Sequence, residues 1–141
     1  MKEYRVRIRV RYPEVDRMGV VHHSHYPVWF EIGRTELMRD LGVPYARLEA
    51  DGLFMPVAEM GLRYRIPVVY DDIVDVVTVV EGVTGARARF GYRLLKEPDQ
   101  ALAAGGFTVH AAVTGAGAPM RIPMALRAAL LSVASRKEDR R

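Results

Sequence analysis

Three of the four histidines fall within four consecutive positions, as His22, His23 and His25. They lie just downstream of a loop carboxylate, Asp16, and a glycine, Gly19. The stretch they belong to, Asp16 to Leu41, reads D-R-M-G-V-V-H-H-S-H-Y-P-V-W-F-E-I-G-R-T-E-L-M-R-D-L and holds the only tryptophan. No other segment concentrates reactive groups in this way. A lone loop aspartate is ordinarily solvated, turn-forming or capping. Two features raise Asp16 above that reading. Gly19 is spaced so that the backbone can approach a ligand closely. A helix N-terminus lies a few residues on, where free N–H groups and the helix dipole stabilise developing negative charge. A carboxylate facing such donors can attack a carbonyl held between them, or deprotonate water against it. That is the minimum kit for acyl transfer or hydrolysis.

Other chemistries fit the same stretch less well. His23 and His25 with Asp16 make a conceivable zinc set, but the spacing matches no metal motif and a helix start splays the side chains. We read the histidines as surface or substrate-lining, with no metal. A nucleophilic serine at Ser24 lacks the strand–turn–helix elbow that such a residue needs. Glu31, at the polar edge of the helix, is either a buried, hydrogen-bonded carboxylate or a helix-surface one, with the first preferred.

The elements that must position these groups are well marked. Lys2 to Arg11 alternates Tyr4, Val6, Ile8 and Val10 with Arg5, Arg7, Arg9 and Arg11, which predicts a strand with one buried face; Pro13 ends it. A helix is expected to begin near Ser24, as its cap, with Pro27 in the first turn. Tyr26, Trp29, Phe30, Gly33, Leu37 and Leu41 then share one face. Gly33 costs about 1 kcal/mol against alanine in mid-helix, so on the apolar stripe it points to close approach to a sheet. Gly42 stops the helix, and a short helical turn spans Pro44 to Ala50. Four strands follow, over residues 57–66, 73–80, 86–96 and 101–113, with turns at Pro67 and Asp71-Asp72, at Glu81-Gly82 with Gly85, and at residues 97–100. Gly105-Gly106 suggests a bulge in the last strand. A final helix runs from Met124 to Ala134. The order strand, long helix, four strands predicts an α+β domain: a five-stranded antiparallel sheet wrapped around a long central helix, with a short C-terminal helix.

At 141 residues the chain suits a single domain over 1–141 with a real core, with about 136–141 forming a frayed basic tail. No apolar run approaches the ~20 residues of a membrane span, and the N-terminus lacks the apolar core of a signal peptide. A cytoplasmic location is expected. The absence of cysteine excludes disulfides, thiolate nucleophiles and cysteine-ligated zinc. The net charge of +4 suits an anionic small molecule better than nucleic acid, because no basic run with interleaved aromatics occurs.

The stretch R-Y-P-E-V-D-R-M-G-V-V-H-H-S-H-Y-P-V-W-F-E-x-x-R-T-E resembles the signature of the 4-hydroxybenzoyl-CoA thioesterase family of hotdog-fold proteins. The shared pattern is Asp16, Gly19, Tyr26, Phe30-Glu31 and Arg34. The later segments R-Y-R-I-P-V-V-Y-D-D and R-I-P also look like the family, so the resemblance covers nearly the whole chain. It implies an acyl-CoA thioesterase that needs no cofactor, with Asp16 as nucleophile or general base and the backbone N–H of His23 polarising the thioester carbonyl. Gly19, His25, Tyr26 and Glu31 would contact substrate. His25 stands where the family commonly has asparagine, which brings a titratable group near the pocket. Coenzyme A phosphates would meet basic residues, with Arg63, Arg65 and Arg89 as candidates and Arg87 and Arg93 beside them; each also reads as a solvated strand-face arginine. The family's assembly implies a homodimer, doubling to a homotetramer, with active sites between subunits.

Two competing functions fit the sequence less well. A hotdog hydratase would want histidine five residues after the aspartate, where this chain has Val21. A non-catalytic acyl-CoA or acyl-carrier binding module would have no need of Asp16.

Overall fold

The structure is a computed structural model that describes residues 2–134. The tail expected at 136–141 lies outside the described residues. Five strands form one sheet: β1 (Tyr4–Arg9), β2 (Val57–Tyr64), β3 (Ile73–Val83), β4 (Arg87–Lys96) and β5 (Ala101–Ala111). Their spatial order is β1-β3-β4-β5-β2, and every neighbouring pair is antiparallel. Three helices accompany the sheet: α1 (His25–Asp40), α2 (Tyr45–Ala50) and α3 (Met124–Leu131). A 3-10 turn, Tyr12–Glu14, leads into the Asp16 loop.

Helix α1 lies across one face of the sheet because its stripe is apolar and contains one glycine. Tyr26, Trp29, Phe30, Gly33 and Leu37 are all buried. The Phe30 ring stacks on Tyr92 of β4, with centroids 4.4 Å apart. A Cβ on Gly33 would run into Thr78 Oγ1 and come within 2.9 Å of Val76 Cγ1, both on β3. The close helix-to-sheet approach expected from Gly33 is therefore present. Leu126 and Leu130 of α3 join the same core. On β1 the expected alternation holds: Tyr4 is buried, Val6 and Ile8 are half-buried, and Arg5, Arg7 and Arg9 are exposed.

Several sequence expectations need correction. The Glu81-Gly82 turn is not a turn: β3 continues to Val83, and the ladder slips between Val80 and Gly82 instead. The reversal is made by the residues between β3 and β4, where Thr84 Oγ1 accepts from the Arg87 N–H at 3.0 Å. Gly105-Gly106 is not a bulge, since both residues pair regularly with β2 and β4. The irregularity falls at Ala103, where Leu94 pairs with Ala104 but Leu95 pairs with Leu102. Gly106 serves packing, because a Cβ there would run into the Gly61 carbonyl of β2 and meet Phe30 at 3.2 Å. The last helix stops at Leu131, short of Ala134. Ser24 occupies the helix cap position but makes no side-chain cap bond; its hydroxyl lies 2.8 Å from His22 Nδ1 instead.

Candidate active site

The Asp16 loop is a miniature hairpin. At its base the His22 N–H donates to the Glu14 carbonyl at 2.9 Å. Above that, Asp16 N–H donates to Val20 O at 2.8 Å and Gly19 N–H to Asp16 O at 3.0 Å. Gly19 closes the turn with φ of +81°, a left-handed conformation that glycine adopts without steric cost. A side chain there would meet nothing within 4 Å, so its role in this structure is the turn and it does not line the cleft. A second layer of bonds ties the hairpin to the sheet connection, where Val21 N–H donates to Val68 O at 2.8 Å.

This hairpin places Asp16 in a cleft of about 440 Å3 together with Met18, Val21, His23, Tyr26, Tyr64 and Arg65. Asp16 is half-buried. Its Oδ1 accepts the Met18 N–H at 2.9 Å, and its other oxygen has no partner among the described residues. His22, His23 and Ser24 form the turn that starts α1. The Ser24 N–H donates weakly to His22 Nδ1 at 3.3 Å, whereas no described residue accepts from the His23 N–H. Two residues lining the cleft thus carry a polar group without a described partner, a carboxylate oxygen on Asp16 and the backbone N–H of His23. Tyr26 forms its wall, buried and packed edge-on against Tyr64 at 4.9 Å. Burial, and then the neighbouring Tyr64, push the Tyr26 phenol above its ordinary range, so it stays a neutral hydroxyl.

Not every expected residue joins this cleft. His25 is half-buried beside His22, with ring centroids 6.5 Å apart, and does not line it. Glu31 is a correction: it is exposed, on the flank of α1 beside the buried stripe of Tyr26, Trp29, Phe30, Gly33 and Leu37. It lines a separate cavity of about 200 Å3 with Arg34, Met38, Tyr45, Met55 and His110. Among the described residues there is no cluster of histidine and carboxylate side chains suited to a metal.

The candidate arginines lie on the outer face of the sheet. Arg63, Arg65, Arg89 and Arg93 border a trough of about 440 Å3 around Phe107 and Gly105. Arg89 is bound to Glu81 at 3.0 Å and covers the Phe107 ring at 4.0 Å, and Arg93 pairs with Glu3. Arg65 borders both the trough and the Asp16 cleft. Arg87 borders neither.

Sequence reasoning missed Glu14, Tyr64 and His110. Tyr64 donates to the His23 carbonyl at 3.2 Å. His110 is buried, with Nδ1 2.9 Å from Met55 O and Nε2 2.8 Å from Thr108 Oγ1. A carbonyl only accepts, so Nδ1 carries the proton and Nε2 takes the Thr108 hydroxyl. Burial, aided by the charge of Arg34, lowers its pKa from 6.5 to about 4. Glu14 is 3% exposed, and the only hint of it in the sequence is the R-x-x-E spacing to Arg11.

Comparison with known proteins places this architecture. The sequence profile of the thioesterase-like superfamily matches residues 10–130. YneP of Bacillus subtilis, named as a candidate acyl-CoA thioesterase, is 40% identical over 87 residues. That alignment covers 62% of this chain and 63% of YneP, slightly under two thirds of the relative's length. The crystal structure of TT1821, a hypothetical protein from Thermus thermophilus, superposes with a TM-score of 0.87 at 39% identity, covering 94% of this chain and 98% of that one. DHNA-CoA thioesterase from Staphylococcus aureus gives a TM-score of 0.82 at 32% identity, covering 86% and 81%. The chain belongs to the thioesterase-like superfamily and has its hotdog fold.

Proposed function

We propose that this protein is an acyl-CoA thioesterase in which Asp16 is the reacting carboxylate. One observation carries the reading: Asp16, with one carboxylate oxygen unpaired, and His23, whose N–H has no described acceptor, line one cleft. A thioester carbonyl seated there would accept from the His23 N–H, which stabilises its oxygen as negative charge develops. The Asp16 oxygen then has two routes. It attacks the carbonyl carbon, the C–S bond breaks, the thiolate leaves, and water cleaves the resulting anhydride. Alternatively it takes a proton from water, whose oxygen attacks directly. Both give carboxylic acid and free thiol, and neither requires a cofactor.

The coenzyme A end would leave past Arg65, which borders both cleft and trough. Arg65 is the better phosphate partner, because no described carboxylate pairs with it, whereas Arg89 and Arg93 are already engaged and Arg63 would face Glu59 of a second copy if two β2 strands pair about Gly61.

The reading includes a second copy of the chain. Strand β2 is a sheet edge, and Val57, Met60 and Tyr64 on it, with Val28 and Ile32 of α1, are exposed apolar side chains. Antiparallel pairing of two β2 strands about Gly61 would set Glu59 of each copy opposite Arg63 of the other. It would also bring the Glu31 cavity, at the Val57 end, against the partner's Asp16 cleft, at the Tyr64 end.

The test is thiol release from a panel of short aliphatic, long aliphatic and aromatic coenzyme A thioesters, with wild type and Asp16→Asn side by side. Asp16-dependent release is expected. No release from any of these thioesters by the wild type would overturn the coenzyme A reading and leave acyl-carrier substrates or the binding module.

A further inference from the structure

We propose that Glu14 is the positioning residue of the Asp16 cleft, a role that rests on the thioesterase reading above. Its carboxylate is held on both oxygens. Oε2 accepts from Trp29 Nε1 on α1 at 3.0 Å, and Oε1 accepts from the Arg11 N–H at 2.7 Å. The Arg11 guanidinium adds a longer contact of 3.5 Å to Oε1. Its backbone carbonyl takes the His22 N–H. One residue therefore links three pieces: the end of β1, the second turn of α1 and the segment that enters α1.

Both groups that would react lie within two residues of a bond to Glu14. Asp16 follows it by two positions, and His23 follows His22. The side chain fixes Glu14 to the helix, the main chain fixes the far side of the hairpin to Glu14, and the carboxylate-to-amide spacing is set between them. A buried carboxylate is an expensive way to fill a core position, and an apolar side chain would pack as well. What an apolar residue lacks is the directional hold. Burial alone would push the Glu14 carboxyl up, but the hydrogen bonds from Arg11 and Trp29 and the charge of Arg11 outweigh it and hold it below its ordinary range. The carboxylate thus stays ionised and bonded.

A residue that merely stabilises the fold would change the melting temperature and leave turnover by the folded protein alone. Glu14→Gln, which keeps the core volume, and Trp29→Phe, which removes the indole N–H and leaves a small cavity whose cost the melting temperature reads, distinguish the two roles, because each loosens one link. Turnover is measured well below both melting temperatures, with folded fraction followed by circular dichroism. We expect kcat to fall roughly tenfold or more in each, with KM within about twofold, since a misplacement near 1 Å can cost about 10²-fold. The double variant should be little worse than the weaker single, because both cut one linkage. Unchanged kcat in both variants, with Asp16→Asn inactive, overturns the positioning role and leaves the thioesterase reading standing. Full activity of Asp16→Asn overturns the reading itself, and this proposal with it.

Discussion

Asp16 has one oxygen committed to the Met18 N–H and one uncommitted. Asparagine keeps the committed bond and loses the nucleophile. Asp16→Asn should therefore keep the fold and lower kcat by roughly 10²–10⁴-fold, the usual worth of a positioned acid–base group. His23 poses the opposite case, since only its amide is implicated. His23→Ala should retain most of its activity, whereas His23→Pro, which removes the donor, should lose roughly 10²–10³-fold. A comparable loss in the alanine variant would bring the imidazole into the chemistry. His110 makes a prediction about stability. Its folded pKa of about 4 lies below the ordinary 6.5, so below pH 6.5 the unfolded chain takes up a proton that the folded chain refuses. Stability should fall between about pH 6.5 and pH 4, by up to ~3 kcal/mol. Urea titrations at pH 7 and pH 4.5 measure this, and His110→Gln should flatten the slope in that window. The Glu14 and Asp75 carboxyls act lower. In both, burial pushes the pKa up and hydrogen bonds with arginine charge more than reverse it. Their contribution is lost only as pH falls through the lowered values.

Helix α1 can lie this close to β3 only because residue 33 has no side chain. Gly33→Ala gains helix propensity of about 1 kcal/mol but sets a methyl against Thr78 and Val76. We expect net destabilisation of roughly 1–3 kcal/mol, read from the urea midpoint. That glycine was legible in the sequence because it broke an apolar stripe where alanine would have served better. The strands were legible from alternation, and Asp16 from its distance to a helix start. The failures are equally physical. Glu81-Gly82 has the composition of a turn, yet β4 pairs past it. Gly105-Gly106 resembles a bulge, yet the missing side chain of Gly106 makes room for the Gly61 carbonyl of β2 and for Phe30 from another layer. Glu31 looked like a core-edge carboxylate because its burial depends on which way α1 faces. Glu14 could not be separated from any loop carboxylate without knowing that Trp29 folds back onto it. In each case the deciding contact is tertiary, and the local pattern carries no record of it.

For the whole molecule, the test is the proposed pairing of β2 strands about Gly61. Opposed charges across strands contribute roughly 0.2–1 kcal/mol per pair, and like charges cost a similar amount. Glu59→Arg should therefore weaken the dimer about tenfold or more, and adding Arg63→Glu should restore it, as measured by sedimentation equilibrium. Activity should follow the dimer, since the Glu31 cavity of one copy would complete the cleft of the other. A monomer with full activity would sink that arrangement.

The two edges of the sheet differ in one further respect. On β1 each outward arginine is already engaged: Arg5 with Gln100 and Asp75, Arg7 with Asp75 and Glu97, and Arg9 with Asp71. A charge at every second residue discourages an incoming strand, while β2 carries a sequence whose charges match their own reverse. In the proposed pairing such a tile would have a valency of one along the sheet. Once two copies had met, neither would have a receptive border left, and growth of the sheet would end there. A crowded solution should then hold closed assemblies, not fibres, and any doubling of the pair would use another surface.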